Sequence, residues 1–521
     1  MAGVSSAPAD EAGPIIGGVG GEEGGRRILY LSGRYDILPP YMICAIFSCL
    51  LAMMPVSSRT LGYQLDISRC KVPTMASLYE KVDVLSSLGY TQLQLYMEHT
   101  FAYSKHETVW RYASPMTAQE VMELDEYCAK RGIELVPNQN SFGHMERWLR
   151  HPEYNHLAEV PMGGAKVPQW GDYTIPTATT LSPTNPDSLK LIAGLYDELL
   201  PCFKSKKLNV GCDETLELMD STANGRSAKE IGELGWQKVY FDFLMKIHQL
   251  TAERGHEMMF WGDILIGYPD LVKQLPKDVI ALIWGYEATQ NFDRDVGRVA
   301  ENGGRFYVCP GTSAWGSLFG RVSNMIGNVD RAIEAADKYH AEGILLADWG
   351  DGGNPNPWIV SLPGIVYTAY RARGKKLSKE ELAHAIDEIA GAKCGAALLE
   401  IGEVYKLTGG RTGNSTELFL MLRDGVEYAR AKGVDDQTLA NSLQAYRNAR
   451  AKAELSHAKK WVKDDFETLD LLAEAIELRL KEPKMKNFRA VFEPRYRELW
   501  LRQNRVGGLE ESLNWIFGRM R

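Results

Sequence analysis

Between residues 60 and about 350, short apolar runs alternate with stretches whose apolar residues recur at helical spacing. This alternation predicts parallel strands joined by helices. Eight runs read as strands: 64–68, 92–97, 134–139, 208–214, 258–263, 279–287, 305–311 and 343–350. Eight strands in about 285 residues match a (β/α)8 TIM barrel in number and size, which favours a closed barrel over an open doubly wound sheet.

Helix start signals support this division of the chain. Thr117 and Glu120 have the spacing of a capping box, and so do Ser378 and Glu381. Beyond residue 375 apolar residues keep helical spacing, as at Leu469, Leu472, Ile476 and Leu480. We therefore predict four regions, an α/β barrel among them: a flexible Gly-rich tail (1–26), an N-terminal segment (27–59), the barrel (60–375) and a helical C-terminal domain (376–521). The long connection 141–207 should lie over the mouth of the barrel.

Composition and charge narrow the function. With 45% hydrophobic residues, 24% charged residues and a net charge of −8, the chain has the composition of a soluble globular protein. It lacks long blocks of Lys and Arg, which argues against nucleic acid as a partner. The eight cysteines are scattered without a CxxC pair, so a structural zinc site is not expected and a reducing, cytoplasmic location is favoured.

One apolar run complicates the location. Residues 41–55 are too few to span a bilayer but would suit the apolar part of a signal peptide. The 40 residues before the run favour a buried element instead. Secretion becomes the alternative if Met42 is the true start.

The predicted strands end in polar and aromatic residues. Since the active site of a barrel lies at the carboxyl ends of its strands, these endings are the candidate site. They are Arg69, Glu98, His144, Asp213, Glu214, Trp261, Asp263, Trp284, Tyr286, Glu287, Trp315, Trp349 and Asp351. Aromatic rings stack on the apolar faces of sugars while carboxylates and Arg bind hydroxyls, so the set describes a sugar pocket. Phosphate-binding glycine motifs are absent from the sequence.

The adjacent carboxylates of Asp213 and Glu214 are the most informative pair. Neighbouring carboxylates repel each other unless a cationic or amide-bearing ligand, or a raised pKa, relieves them. An isolated Asp-Glu dipeptide is usually solvated, but this one ends an apolar run and follows Gly211. A general acid beside a stabilising anion fits that position. Cys212 lacks an evident base and is interpreted as a small packed residue.

The segment LNVGCDET resembles the strand-four motif of glycoside hydrolase family 20, the β-N-acetylhexosaminidases. LGYQLDISRCKVPT, LVPNQNSFGHM, MMFWGD, IALIWGYE and ADWGDGG resemble further strands of the family, in the same order along the chain. The last has Asp351 where many members have Glu. The resemblance covers about 60–360 and is closest to a bacterial branch that removes terminal β-linked GlcNAc and GalNAc.

The resemblance implies substrate-assisted, retaining hydrolysis without metal or organic cofactor. It makes Glu214 the acid and base, and Asp213 the residue that orients the acetamido group. Glu98 and His144 would support the acid as a pair, with Glu where the family has Asp. Arg69 and Asp351 would bind sugar hydroxyls. Trp261, Trp284, Trp349 and Tyr286 would wall the pocket, and either Tyr307 or Trp315, of which we take Trp315, would meet the acetamido group.

Two other functions remain open from the sequence. A non-catalytic barrel could bind amino sugars through the same aromatic pocket, although the intact Glu214 favours an enzyme. A conventional two-carboxylate retaining glycosidase would need a nucleophile about 5 Å from the acid, which Asp263 or Glu287 could supply. The expected partner in each case is a saccharide with a terminal sugar. The sequence offers no stable membrane span.

Overall fold

The computed structural model describes residues 59–167, 173–220, 225–409 and 413–518. The predictions for the tail, for the run 41–55 and for Met42 fall outside the described residues. Within the described part of the chain, none of the helices is long and apolar enough to cross a membrane.

Eight parallel strands form the centre of the protein. They are β1 (Thr60–Asp66), β2 (Gln92–Tyr96), β3 (Glu134–Val136), β6 (Lys207–Asn209), β7 (Glu257–Trp261), β8 (Val279–Trp284), β9 (Arg305–Cys309) and β10 (Gly343–Asp348). Their order is β3-β2-β1-β10-β9-β8-β7-β6. Each of the eight predicted runs overlaps one of these strands. A short antiparallel hairpin, β4 (Lys166–Val167) and β5 (Tyr173–Thr174), lies in the long connection.

The sheet closes between its two outer strands. Just beyond β3 and at the end of β6, Asn138 and Asn209 form a parallel bridge. The N–H of Asn209 donates to the carbonyl of Pro137 at 2.9 Å, and the N–H of Gln139 donates to the carbonyl of Asn209 at 3.0 Å. This closure confirms the predicted TIM barrel, in which all eight strand ends open at one mouth.

Helices follow the strands. In the first part of the described chain the α-helices are Met75–Ser87, Glu107–Trp110, Ala118–Ala129, Glu146–Leu149, Pro152–Asn155, Pro186–Leu199, Ala228–Leu234, Trp236–Glu253, Asp263–Gly267, Pro269–Val272, Phe292–Ala300, Val322–Tyr339 and Leu362–Arg371. The later ones are Lys379–Ala390, Gly395–Ile401, Glu417–Asp424, Val426–Ala431, Asp436–Arg450, Lys460–Lys481, Phe488–Gln503 and Leu509–Leu513. Single 3₁₀ turns and a final π turn complete the pattern: Leu200–Cys202, Leu216–Met219, Trp358–Val360, Val404–Thr408 and Asn514–Gly518.

Both predicted capping boxes are present. The Thr117 and Ser378 side chains accept the N–H of Glu120 and Glu381 respectively, and each glutamate accepts the N–H of its cap residue. A cap of this kind contributes about 1 kcal/mol to helix stability.

The barrel interior is filled by side chains, most of them apolar, so a ligand has room only at the ends of the strands. One buried cluster fills the centre: Val136, Met259, Trp261, Ile280, Leu282, Tyr307, Cys309 and Leu345. The tryptophans Trp284 and Trp349 cover it on the side of the mouth. The pocket therefore has an aromatic floor.

The C-terminal helices pack against the loops of the barrel. The Asp465 carboxylate accepts the main-chain N–H of Ile359 at 2.8 Å. Trp358 and Trp461 pack with ring centroids 5.2 Å apart. These contacts brace the segment after β10, which also carries Trp349 and Asp351.

Candidate functional site

Asp213 and Glu214 follow β6 on an unusual backbone. Gly211, Cys212 and Glu214 have φ values of 70°, 70° and 47°, in the left-handed region. For the two non-glycine residues this conformation costs about 1 to 2 kcal/mol each. Surrounding contacts must hold the turn in place.

Three neighbours hold this turn. A Cβ on Gly143 would lie 2.1 Å from the carbonyl oxygen of Asp213, so the loop after β3 can approach only because residue 143 is glycine. The Tyr240 hydroxyl donates to the Cys212 carbonyl at 3.0 Å. The Asp263 carboxyl Oδ2 accepts the N–H of Glu214 at 3.2 Å. The loop after β3, the helix Trp236–Glu253 and the residue Asp263 after β7 thus fix the carboxylate pair.

His144 connects the two carboxylates. Its Nε2 lies 3.3 Å from Asp213 Oδ2 and 3.4 Å from Glu214 Oε2. Burial by itself lowers the pKa of His144, but the charge of Asp213 and the contacts with both carboxylates raise it well above its usual range. The two acidic neighbours thus favour the protonated imidazole, which would compensate the paired negative charges.

Arg69 lies at the centre of a second charged group. Its Nη1 donates to Asp66 Oδ2 at 3.0 Å, and its Nε lies 3.4 Å from Asp351 Oδ1 and 3.6 Å from Glu98 Oε1. Its Nη2 lies 3.4 Å from Nδ1 of His144. The guanidinium is thus fixed in its orientation by the groups around it.

Glu98 is fully buried, and the Tyr96 hydroxyl donates to its Oε1 at 3.0 Å. Burial and the nearby charge of Glu146 raise the pKa of Glu98 to about 7, against the opposing effect of Arg69. The expected direct pair of Glu98 with His144 is not formed in the described residues; Arg69 lies between them. The longer Glu side chain, which reaches Arg69 and Tyr96, accounts for the difference.

The predicted aromatic residues form one wall. Trp284 stacks on Tyr286 with centroids 5.3 Å apart, Trp315 meets Tyr286 edge-on at 5.0 Å, and Trp261 lies 5.6 Å from Trp349. The indole Nε1 atoms of Trp261, Trp284 and Trp315 are buried and have no hydrogen-bond partner among the described residues. Buried donors of this kind are normally satisfied, so a ligand with acceptor oxygens suits the pocket.

All of the predicted site residues belong to one connected set of contacts. Trp349 links the charged group around Arg69 to the aromatic wall, because the Arg69 guanidinium lies 4.9 Å from the centroid of its ring. Asp351 is the most exposed member, with 51% of its side chain accessible. Their individual roles stay predictions.

Two further residues of the site escaped the sequence analysis. Asp66 accepts the main-chain N–H groups of Ser68, Arg69 and Gly350, and so orders the ends of β1 and β10 together. The Tyr96 ring lies 4.7 Å from the Arg69 guanidinium. Both are polar or aromatic residues inside runs that were interpreted only as strands. Their position at the carboxyl ends of β1 and β2 is the signal that could have found them.

Three alternatives from the sequence are placed by the structure. Tyr307 lies toward the amino ends of the strands, where it lines a cavity with Thr60 and Lys207, so it cannot meet a ligand at the mouth. Glu287 pairs with Arg321 at 2.9 Å. Burial raises the pKa of the Cys212 thiol well above its usual range, which fits a packed and unreactive residue.

In the described residues, no group of three or more His, Cys, Asp and Glu side chains is arranged to hold a metal ion. The site brings together acidic side chains, an imidazole and hydrogen-bond donors. Two carboxylates beside a cationic imidazole, opposite unpaired indole N–H groups, can protonate a leaving group and stabilise a developing positive charge.

Comparison with known proteins places this site in a family context. Residues 84–315 match the family model of the glycosyl hydrolase family 20 catalytic domain. Hexosaminidase D of Homo sapiens is 25% identical over 306 residues, which are 57% of this chain and 57% of that protein. Hexosaminidase D of Bos taurus is 27% identical over 230 residues, covering 42% of this chain and 60% of that protein. The chain thus spans less than two thirds of these relatives.

A solved structure agrees in fold. The chitobiase of Flavobacterium johnsoniae superposes with a TM-score of 0.51 at 17% identity, over 88% of this chain and 78% of that one. The matched family segment begins in the helix after β1 and ends at Trp315. It contains Glu98, His144, Asp213 and Glu214, whereas Arg69, Trp349 and Asp351 lie outside it.

Proposed function

Because residues 84–315 match the family model of the glycosyl hydrolase family 20 catalytic domain, we propose that the protein is an exo-β-N-acetylhexosaminidase. It releases terminal β-linked GlcNAc or GalNAc with retention of configuration, and the substrate's own 2-acetamido group is the nucleophile. The observation that carries the proposal is the Asp213–Glu214 pair, which His144 bridges at the aromatic mouth of the barrel.

In the first step the protonated Glu214 gives its proton to the glycosidic oxygen as the C1–O bond breaks. The acetamido carbonyl oxygen attacks C1 and forms an oxazolinium ion. The Asp213 carboxylate accepts the acetamido N–H and stabilises the positive charge that spreads onto this group. One oxygen of Asp213, Oδ1, is buried and has no hydrogen-bond partner among the described residues, so it is free to accept that N–H.

In the second step the Glu214 carboxylate removes a proton from water. The water oxygen bonds to C1, the oxazolinium C1–O bond breaks, and the sugar leaves with its original β configuration. Glu214 is protonated again and the cycle closes. Between the two steps, when Glu214 has lost its proton, a protonated His144 limits the repulsion between the two carboxylates.

Arg69 and Asp351 bind hydroxyls of the terminal sugar, and the indole rings bind its faces and its acetamido group. Arg69 is held by Asp66 and Glu98, so its orientation is set before substrate arrives. Trp315 lies against Tyr286 and supplies an indole N–H to the same pocket.

The two-carboxylate alternative is less well supported. Asp263 uses one oxygen to accept the N–H of Glu214, and Glu287 accepts from Arg321 and from the N–H of Asn414 at 2.8 Å. Both candidate nucleophiles are engaged in holding loops. For the binding-only alternative, the intact Glu214 is the observation against it.

The location stays a proposal. The six cysteines of the described residues, Cys70, Cys128, Cys202, Cys212, Cys309 and Cys394, are all buried and unpaired. Free buried thiols support a reducing, cytoplasmic setting.

The test compares Glu214→Gln with Asp213→Asn on two substrates, a nitrophenyl β-GlcNAc and a GlcNAc disaccharide. Without the acid, kcat/KM on the disaccharide should fall by about 10² to 10⁴, and by much less on the nitrophenyl glycoside, whose leaving group needs little protonation. We compare kcat/KM because it reports the steps up to cleavage of the glycosidic bond, whereas kcat also includes the second step, in which Glu214 is the base. Asp213→Asn should reduce both, because cyclisation precedes release in either case. Glu233→Gln, an exposed glutamate, is the control. Equal losses on both substrates would remove Glu214 from the role of acid.

A further inference from the structure

Asp263 is a buried carboxyl group that the mechanism above does not use. It follows β7 directly and begins the helix Asp263–Gly267. Its Oδ2 accepts the main-chain N–H of Glu214 at 3.2 Å. Its Oδ1 is shielded from solvent and has no hydrogen-bond partner among the described residues.

This hydrogen bond is made to the main chain of Glu214, the proposed acid. Glu214 has φ of 47°, and a residue with a side chain adopts this conformation only when its surroundings impose it. A hydrogen bond to the N–H of that residue, from a neighbouring strand of the barrel, fixes the direction in which the Glu214 side chain leaves the turn.

The ionisable groups that face Asp263 are mostly acidic. Asp213 and Glu214 come from the end of β6, together with the thiol of Cys212, and Tyr240 comes from the helix Trp236–Glu253. The cation of the group is His144, whose contacts go to Asp213 and Glu214. Burial, and then the charges of Asp213 and Glu214, raise the pKa of Asp263 well above its ordinary value.

A proton on Asp263 removes the charge from its second oxygen and so lowers the cost of burying it. A carboxylate oxygen buried without a donor is costly, and a third negative charge beside Asp213 and Glu214 adds repulsion. With Oδ1 protonated, Oδ2 still accepts the N–H of Glu214 and the group is neutral.

We propose that Asp263 is a positioning residue for Glu214: its neutral carboxyl group accepts the main-chain N–H and holds the acid in its left-handed turn. This inference rests on the proposed function and deepens it. It also gives Asp263 a role other than that of a nucleophile.

The variants Asp263→Asn and Asp263→Ala separate the possibilities. Asn keeps an acceptor oxygen without charge and therefore resembles the protonated acid, whereas Ala removes the acceptor. We expect kcat of the Asn variant on the GlcNAc disaccharide, whose leaving group needs the acid, to stay within about threefold of wild type, with the same pH profile from about pH 5 to pH 7. The Ala variant should lose at least about tenfold in kcat, with KM changed by less than about threefold.

Asp270→Asn is the matched control, because Asp270 is an aspartate of the next helix whose side chain is 88% exposed. Its kcat and KM should equal those of wild type. Circular dichroism and a melting curve establish that each variant is folded. If Asp263→Ala fails to fold, Asp263→Ser keeps a polar group at the helix start with too short a reach for Glu214, and should show the same loss in kcat.

The results for the two Asp263 variants and for wild type distinguish the possible roles of Asp263. An Asn variant as impaired as the Ala variant would show that Asp263 acts through its negative charge, and would overturn the proposal in favour of a nucleophile or a charged base. Full kcat in the Ala variant would overturn it as well. Inactive wild-type protein would instead count against the proposed function, so the two failures are distinguishable.

Discussion

The backbone around Asp213 and Glu214 shows how single residues build this site. A glycine at position 143 lets one loop touch the carbonyl of Asp213, and Gly211 comes so close to Asn140 that a Cβ there would lie 2.0 Å from Oδ1 of that side chain. These close approaches hold the two carboxylates beside each other, although their charges repel. Charge is then compensated locally, by His144 on the pair and by Arg69 on its own acidic neighbours.

The buried carboxyl group of Glu98 makes the free energy of unfolding depend on pH. In the folded protein its pKa is about 7, whereas an unfolded glutamate titrates near 4.5. Between these values the folded state keeps a proton that the unfolded state has lost, so the free energy of unfolding falls as pH rises from about 4.5 to about 7, and the loss persists above that.

Glu98→Gln should remove this dependence. At about pH 4.5 the variant and wild type should melt within a degree or two of each other, because both side chains are neutral there. At about pH 8 the variant should be the more stable by about 1 to 3 kcal/mol, or a few degrees in Tm. Melting curves at a series of pH values check this, and parallel curves for the two proteins would show that Glu98 ionises normally.

Strands and helices are where the sequence was most informative. The eight strands were predictable because each is an apolar run with polar flanks, and the capping boxes located two helix starts. The strands end earlier than the runs, as in 208–214, where the ladder stops at Asn209. The remaining residues of such runs leave the sheet and line the mouth. The alternation of residue types along the chain does not show where the hydrogen-bonded ladder stops.

Contacts between distant elements were beyond the sequence. The Glu98–Arg69 contact and the Asp263–Glu214 bond depend on which strands are neighbours and how long each side chain reaches. The presence of the candidate residues at strand ends was predictable from periodicity and barrel geometry. Their partners became visible only with the closed barrel.

Arg505 shows how the C-terminal helices are fastened to the barrel. Its Nη2 donates to Glu120 of the helix Ala118–Ala129 at 2.8 Å, and its Nη1 donates to the carbonyl of Pro115 at 2.8 Å. We expect Arg505→Ala to lower stability by about 1 to 3 kcal/mol, since it leaves these acceptors unpaired. Arg495→Ala, in an exposed pair with Glu474, should cost less than about 1 kcal/mol. Thermal melting of both variants makes the comparison, and equal effects would contradict a special role for Arg505.

The whole molecule combines a packed barrel, whose interior leaves no room for a ligand, with a mouth walled by tryptophans. The C-terminal helices brace the segment after β10, and the loops after β3 and β7 brace the carboxylate pair. Together these supports hold the site in a fixed arrangement before substrate binds. In the proposed mechanism that arrangement supplies one acid and one anion, and the substrate supplies the nucleophile.

The central claim is therefore that the 2-acetamido group of the substrate takes part in the reaction. The most direct measurement is the kcat/KM of wild-type protein on nitrophenyl β-GlcNAc and β-GalNAc, beside the matching β-glucoside and β-galactoside. We expect hydrolysis of the acetamido sugars, and a kcat/KM at least about a thousandfold lower for sugars with a 2-hydroxyl group. Comparable rates on glucosides or galactosides would contradict it and would require a nucleophile from the protein.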